Sequence, residues 1–190
     1  MKAAVIERDD LLVVKDVPAP EPGNYEALCE ILWGATCTGT DLHLIDGTLP
    51  FRAPLPTILG HESIGRVVAL GPKVRYLKPG DLVTRVGTTP VGPYSVSWGG
   101  FAEWGIARDY RAMQEDGLPE TAWRSARWNR VLPPWVDPRS ATMIITWRET
   151  LSYLTRMGFA PGRTLLVIAP AATVWRMLPM RTTWAQPPWQ

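Results

Sequence analysis

Two short segments hold most of the side chains in this sequence that could do chemistry. Residues 34–43 read Gly-Ala-Thr-Cys-Thr-Gly-Thr-Asp-Leu-His, and residues 60–62 read Gly-His-Glu. The chain has two cysteines and two histidines, and Cys37, His43 and His61 all fall in these segments. Thiolate, imidazole and carboxylate are zinc-ligand types. A catalytic zinc needs three protein ligands, an open position and polar partners that fix the imidazole ring. Cys37 and His61 are the ligand candidates. Glu62 can be a ligand or a nearby carboxylate. Asp41 can hold the free nitrogen of a ligand histidine, Thr40 offers a hydroxyl near the metal, and His43 could pass a proton outward. Any one of these residues alone reads as packing or as an ordinary satisfied polar group. Their joint occurrence in two glycine-bounded loops points to zinc.

The elements that must position them are short strands. Lys2 to Glu7, Leu11 to Val14, Glu26 to Trp33, Ser63 to Leu70, Leu82 to Val86 and Phe101 to Ala107 are each β-compatible and bounded by Pro, Gly or Asp turn signals. Cys29 lies inside the third of these and reads as a small buried thiol. Six short strands with this punctuation predict a mainly β fold, a compact and mostly antiparallel barrel. Met113 to Asn129 is polar and reads as an irregular surface loop. Pro138 to Met157 has helical spacing, with Met143, Trp147, Leu151 and Leu154 on one face and Gly158 as its C-cap. Thr164 to Ala169 then reads as the first, buried strand of a parallel sheet.

Composition narrows the class. The 190 residues are 46% hydrophobic and 20% charged, with a net charge of +2, so a globular protein is expected and a nucleic-acid role has little electrostatic support. No apolar run is long enough to span a membrane, and the start lacks a signal-peptide pattern, which makes the cytoplasm the default. Two cysteines do not make a disulfide framework. The 10 Trp and 19 Pro are high for this length, and every basic residue after Lys78 is Arg. That skew marks the C-terminal end as unlike ordinary globular sequence.

The sequence resembles the zinc-dependent medium-chain dehydrogenase/reductase family, which includes alcohol, polyol and threonine dehydrogenases. The likeness rests on the opening Lys2-Ala3-Ala4-Val5, the segment 37–47 and Leu59-Gly60-His61-Glu62. It is carried further by Gly65-Arg66-Val67-Val68-Ala69-Leu70-Gly71, Leu77-Lys78-Pro79-Gly80-Asp81-Leu82-Val83 and Gly99-Gly100-Phe101-Ala102-Glu103. The resemblance implies a GroES-like barrel followed by a Rossmann α/β domain. By position it makes Cys37 and His61 catalytic zinc ligands, with Glu62 an exchangeable ligand or near neighbour. It gives Thr40 the proton of the substrate alcohol, His43 the relay outward and Asp41 the support of His61. The implied reaction is hydride transfer from a small-molecule alcohol or polyol to NAD or NADP, assisted by one catalytic zinc. A zinc-free quinone-reductase-like relative is disfavoured by Cys37, Asp41 and the Gly-His-Glu triplet.

Three departures qualify this expectation. Thr38 and Gly39 both separate Cys37 from the Thr40-Asp41 pair, where the family has one residue. The usual third-ligand position falls at Ile145 or Thr146, neither a good ligand; Glu149 is a weak substitute one turn on, which leaves Glu62 as the practical third. The four-cysteine lobe of many relatives is absent, since residues 87–99 contain no Cys. A Rossmann domain also needs a Gly-rich turn after its first strand, yet Ala169-Pro170-Ala171-Ala172 follows here, and Pro170 removes a donor. Reading one base earlier from Pro170, the allowed codons include a Gly-Gly-Asn-Gly turn opening an amphipathic helix, so a frameshift near Ala169 is the hypothesis. The nucleotide sequence tests it, and absence of such a frame would end it. The expected domains are 1–137, a GroES-like catalytic domain; 138–169, a connecting helix and first strand of an incomplete nucleotide-binding domain; and 170–190, an aberrant tail expected to be poorly ordered. The expected function is an alcohol/polyol dehydrogenase-like protein without turnover in this form. The alternative is a non-catalytic GroES-like remnant that binds zinc only.

Overall fold

Asp9-Asp10 reverses the chain between the first two strands, with Asp10 in the left-handed region (φ 60°). β1 (Lys2–Arg8) and β2 (Leu11–Asp16) pair antiparallel across this turn. A computed structural model describes residues 1–165. Its further strands are β3 (Glu26–Ala35), β4 (Thr57–Ile58), β5 (Glu62–Leu70), β6 (Leu82–Thr84), β7 (Ser95–Val96) and β8 (Trp104–Arg108). They form two four-stranded sheets in the orders β2-β1-β4-β7 and β6-β5-β3-β8. All pairings are antiparallel except β4 with β7. This mainly β architecture matches the fold expected from the strand punctuation.

Apolar side chains on the strands make three buried clusters. Ala27, Cys29, Val67, Val83, Val86 and Ala107 fill the inside of the β3 sheet. Ala3, Val5, Val17 and Ile58 pack under β1. Ile6, Leu44 and Leu59 form the third, with Trp98 and Phe101 against it. Cys29 is fully buried, and burial pushes its thiol up to about 12, so it remains a neutral packing group.

Several expected boundaries move for visible reasons. β6 stops at Thr84 because Arg85 adopts φ 52°, leaving the strand while its N–H donates to Ser63 O at 2.7 Å. β8 begins at Trp104 because Gly100 and Phe101 donate instead to Gly60 O and Leu59 O. The expected surface loop at residues 113–129 is largely helical. α2 (Tyr110–Glu115) starts on the Asp109 side chain, which accepts from Ala112 N, and leads to α3 (Glu120–Trp123) and a 3-10 turn over Arg124–Trp128. Its few apolar residues are spaced too irregularly to show a period, but the Asp109 cap supplies a start.

The single helix expected over residues 138–157 is two. α4 (Pro138–Ala141) is capped by Asp137, whose carboxylate accepts from Ser140 N, and α5 spans Ile144–Arg156. On α5 the buried residues are Ile145, Thr146, Thr150 and Leu154, while Leu151 is exposed, so the inward face differs from the one the spacing predicts. Gly158 (φ 69°) ends α5, with Phe159 N bonding back to Leu154 O, as a glycine C-cap does. By internal contacts the chain divides into Met1–Thr142 and Met143–Gln190. α4 belongs to the first, where the Arg139 guanidinium lies 4.6 Å from the Trp33 ring centroid. Beyond Leu165 the expected strand, and the tail after it, lie outside the described residues. Among the described residues no helix is long and apolar enough to cross a membrane.

Candidate metal centre

Register brings the two chemistry-bearing segments together. β3 and β5 pair so that Gly34 faces Ser63 and Ala35 faces Glu62. The residues just beyond β3 therefore sit beside those just before β5. Gly60 makes that approach possible. It has φ 114°, and a Cβ there would lie 2.4 Å from Phe101 N, so no larger residue fits without moving backbone.

Beyond β3 the chain turns through residues 38–40 into α1 (Asp41–Ile45). The turn closes on itself: Cys37 O accepts from Thr40 N (3.1 Å) and Asp41 N (2.7 Å), while Cys37 N donates to Asp41 Oδ2 (2.8 Å). The extra residue between Cys37 and Thr40 is absorbed in this turn. Leu44 anchors α1 by full burial among Ile6 and Leu59, and Asp41, three residues earlier, is buried with it. Arg52 ties the helix down from outside, donating to Leu44 O (2.9 Å) and pairing with Asp9 (2.7 Å).

The second carboxylate oxygen of Asp41 lies 3.1 Å from His61 Nδ1. One carboxylate thus holds both the cysteine backbone and the imidazole, leaving Nε2 of His61 as the nitrogen open to a metal. Cys37, His61 and Glu62 each present a ligand atom, and the three atoms lie within 4.8 Å of one another. Ligand atoms on a tetrahedral zinc are separated by roughly 3.3–3.8 Å, from bond lengths near 2.0–2.3 Å. Small side-chain rotations would close that gap, and a thiol, an imidazole and a carboxylate make a zinc-type donor set. Glu62 is 1% exposed, and Cys37 is partly exposed. Burial lowers the His61 pKa, but the Asp41 hydrogen bond and the charges of Asp41, Glu62 and Cys37 outweigh it and raise the value above the ordinary one. The surroundings therefore favour positive charge at this point.

The remaining expected residues are placed as follows. Thr40 precedes α1, and its hydroxyl accepts from Cys37 Sγ at 3.7 Å. His43 projects outward with its side chain 54% exposed. Its Nδ1 contacts Thr48 Oγ1 at 2.8 Å, and that hydroxyl donates to Asp46 at 2.6 Å, so Nδ1 is the donor. Ile145 and Thr146 are buried on α5, and Glu149 is exposed there.

Sequence reasoning missed an aromatic group beside the centre. The Trp98 ring centroid lies 5.4 Å from that of His61, Phe51 meets Trp98 edge-on at 6.3 Å, and the Arg85 guanidinium lies 5.8 Å from the Trp98 ring and 4.7 Å from the Trp128 ring. Arg85, Trp98, Trp128, Gly60 and Ser63 share a cavity of about 390 Å³. The available signal was Trp98 directly before Gly99-Gly100, where the chain needs left-handed conformations; Trp98 itself has φ 66°.

The family described as the alcohol dehydrogenase GroES-like domain matches residues 23–120, more than half of the chain. An alcohol dehydrogenase of Rhizobium meliloti is 43% identical over 84 residues, 44% of this chain and 24% of that protein. The L-galactonate-5-dehydrogenase of Escherichia coli is 28% identical over 169 residues, 88% of this chain and 49% of that protein. The chain spans about half the length, or less, of these curated relatives. Among solved structures, the alcohol dehydrogenase TADH of Thermus sp. ATN1 superposes with a TM-score of 0.70 at 25% identity, covering 97% of this chain and 55% of that one. Residues 23–120 hold β3, α1 and β5 together with Cys37, Asp41, His61 and Glu62. The chain belongs to the alcohol dehydrogenase GroES-like domain family.

Proposed function

We propose that this chain carries the catalytic half of a zinc-dependent alcohol or polyol dehydrogenase, and that the polypeptide as it stands binds the metal without completing hydride transfer. The observation that carries the reading is the convergence of Cys37, His61 and Glu62 within 4.8 Å. Cys37 Sγ, His61 Nε2 and a Glu62 oxygen would hold the zinc, with Glu62 the exchangeable member. When bound, zinc supplies Lewis-acid polarisation of the substrate oxygen. The rest is done by the chain. Asp41 fixes the His61 tautomer and the Cys37 backbone together. Thr40 takes the proton of the substrate hydroxyl, and the exposed His43 passes it to solvent. The relatives named as alcohol and L-galactonate dehydrogenases support the substrate class, a small-molecule alcohol or polyol.

Residues 1–137 form the catalytic domain in this reading, 138–169 the connecting helices and first strand of the nucleotide-binding domain, and 170–190 a segment that does not rebuild it. The sequence Ala169-Pro170-Ala171-Ala172 offers no Gly-rich turn of the kind that binding the pyrophosphate of NAD or NADP needs. The same feature favours the second reading, a GroES-like remnant in which zinc only fastens the Cys37 turn to the start of β5. Metal analysis and NAD(P)H titration of the purified chain test the proposal. About one zinc per chain with no nucleotide binding is expected. A chain without zinc overturns the metal assignment, and nucleotide binding with alcohol turnover overturns the claim of inactivity.

A further inference from the structure

A cavity of about 1050 Å³ in the first unit lies among residues that none of the zinc chemistry uses. Its lining is basic. Arg66, Lys78, Arg108, Arg111 and Arg130 all border it, and among the described residues none of the five forms an ion pair with a carboxylate. Two acidic residues share the lining, and both are committed elsewhere. Asp109 is buried and accepts from the backbone N–H of Arg75, Tyr76 and Ala112, while Asp81 accepts from Lys78 N. Arg75, also at the rim, is neutralised by Glu115 and Asp116. The contrast is informative: among the described residues the fold pairs one arginine of this groove with two carboxylates and gives the other five cations no carboxylate partner.

Two of those cations are brought together and held. A single phenolic oxygen, that of Tyr110, lies 2.6 Å from Arg130 Nη1 and 3.3 Å from Arg111 Nε. The Arg130 guanidinium lies 5.1 Å from the Tyr110 ring centroid, and Arg111 lies 5.6 Å from the Tyr76 ring centroid. Hydrogen bonding to Arg111, with the charge of Arg130 beside it, holds the Tyr110 phenol below its ordinary pKa. Each guanidinium spends one N–H on the phenol and keeps the remainder of its fork. Like charges meeting across one oxygen repel, and an anion bridging their free N–H groups removes that repulsion.

We propose that the Arg111–Tyr110–Arg130 cluster and its groove form a binding site for a phosphoryl group carried by a small molecule. A carboxylate has one charge and two oxygens, which a single guanidinium fork satisfies. A phosphoryl dianion has three terminal oxygens and the charge to engage both forks, and Arg108, Lys78 and Arg66 border the same cavity for a second phosphate or an attached acidic group. The groove volume is that of a small-ligand site. This site is independent of the zinc reading, and either can fail without the other.

Calorimetric titration of the full chain with inorganic pyrophosphate tests it, with inorganic phosphate, citrate and double-stranded DNA as comparison arms. Saturable one-to-one binding of pyrophosphate, weakened at least tenfold in Arg111→Gln and Arg130→Gln and unchanged in Arg127→Gln, is expected. Arg127 carries the same charge outside the groove, so it separates a site from a general field. Tyr110→Phe keeps the ring and removes the shared oxygen, and a loss of a fewfold is expected there. Equal weakening in Arg127→Gln, citrate binding as tight as pyrophosphate, tighter binding of DNA, or no saturable binding overturns the proposal. Zinc content measured on the same variants should not change.

Discussion

At the scale of single residues, Asp41 carries more than its position in the sequence suggests. One oxygen accepts from Cys37 N at 2.8 Å, and the other meets His61 Nδ1 at 3.1 Å. Asparagine can reproduce one of these bonds but not both. If its amide oxygen serves Cys37, its NH₂ must face His61, and His61 Nδ1 must become the acceptor. The ring proton then moves to Nε2, the nitrogen a metal needs. Asp41→Asn is expected to weaken zinc affinity roughly 10–100-fold, as loss of a carboxylate behind a ligand histidine does. The circular dichroism spectrum should stay unchanged. Competition with a chromophoric chelator reads the affinity, and an unaltered constant would remove Asp41 from this role. The sequence marked Cys37, Asp41, His61 and Glu62 because thiols and imidazoles are scarce in this chain, so each one present is informative. Arg85, Trp98 and Trp128 were invisible to the same reasoning. Arginines and indoles are abundant here, and what sets these three apart is mutual stacking and two left-handed backbone conformations, neither of which has a period.

At the scale of elements, the strands were legible and the helices less so. Lys2–Arg8, Leu11–Asp16 and Glu62–Leu70 announce themselves as short β-compatible runs bounded by Pro, Gly and Asp turn signals. α5 was read on the wrong face because Thr146 and Thr150, polar by type, are buried, with Thr150 Oγ1 donating to Thr146 O at 2.9 Å. The break between α4 and α5 carries no Pro or Gly to announce it. The connection from β4 to β5 shows an element that a single glycine decides. Gly60 takes φ 114°, and any Cβ there would run into Phe101 N. Gly60→Ala is therefore expected to cost about 2–4 kcal/mol, the sum of a left-handed penalty and a shifted backbone contact. Because the shift displaces His61, zinc affinity should fall along with stability. Urea titration and metal titration on the same protein check both. A loss of stability with full zinc affinity would show that the connection tolerates movement without moving the imidazole.

At the scale of the whole molecule, the proposed zinc would tie together parts of the chain that no covalent bond joins. Cys37 follows β3, His61 and Glu62 open β5, and β3 pairs with β5 along the full length between them. An unfolded chain has no such donor set held within a few ångströms, so a metal bound only to the folded state adds RT ln(1 + [L]/Kd) to stability. With free zinc at a thousandfold excess over Kd this is about 4 kcal/mol. For a chain of this length each kcal/mol moves the melting temperature by roughly 2–4 °C, so chelation should lower it by roughly 8–16 °C. Near-UV circular dichroism with and without EDTA measures the shift. Cys37→Ala supplies the control: it removes one ligand but is too peripheral to the three apolar clusters to unfold them. Its melting temperature should equal that of the chelated parent and be insensitive to EDTA. If the variant lost as many degrees to EDTA as the parent, the metal that stabilises the fold would sit elsewhere. If the parent lost none, Cys37, His61 and Glu62 would be a polar cluster that the fold brings together without a metal.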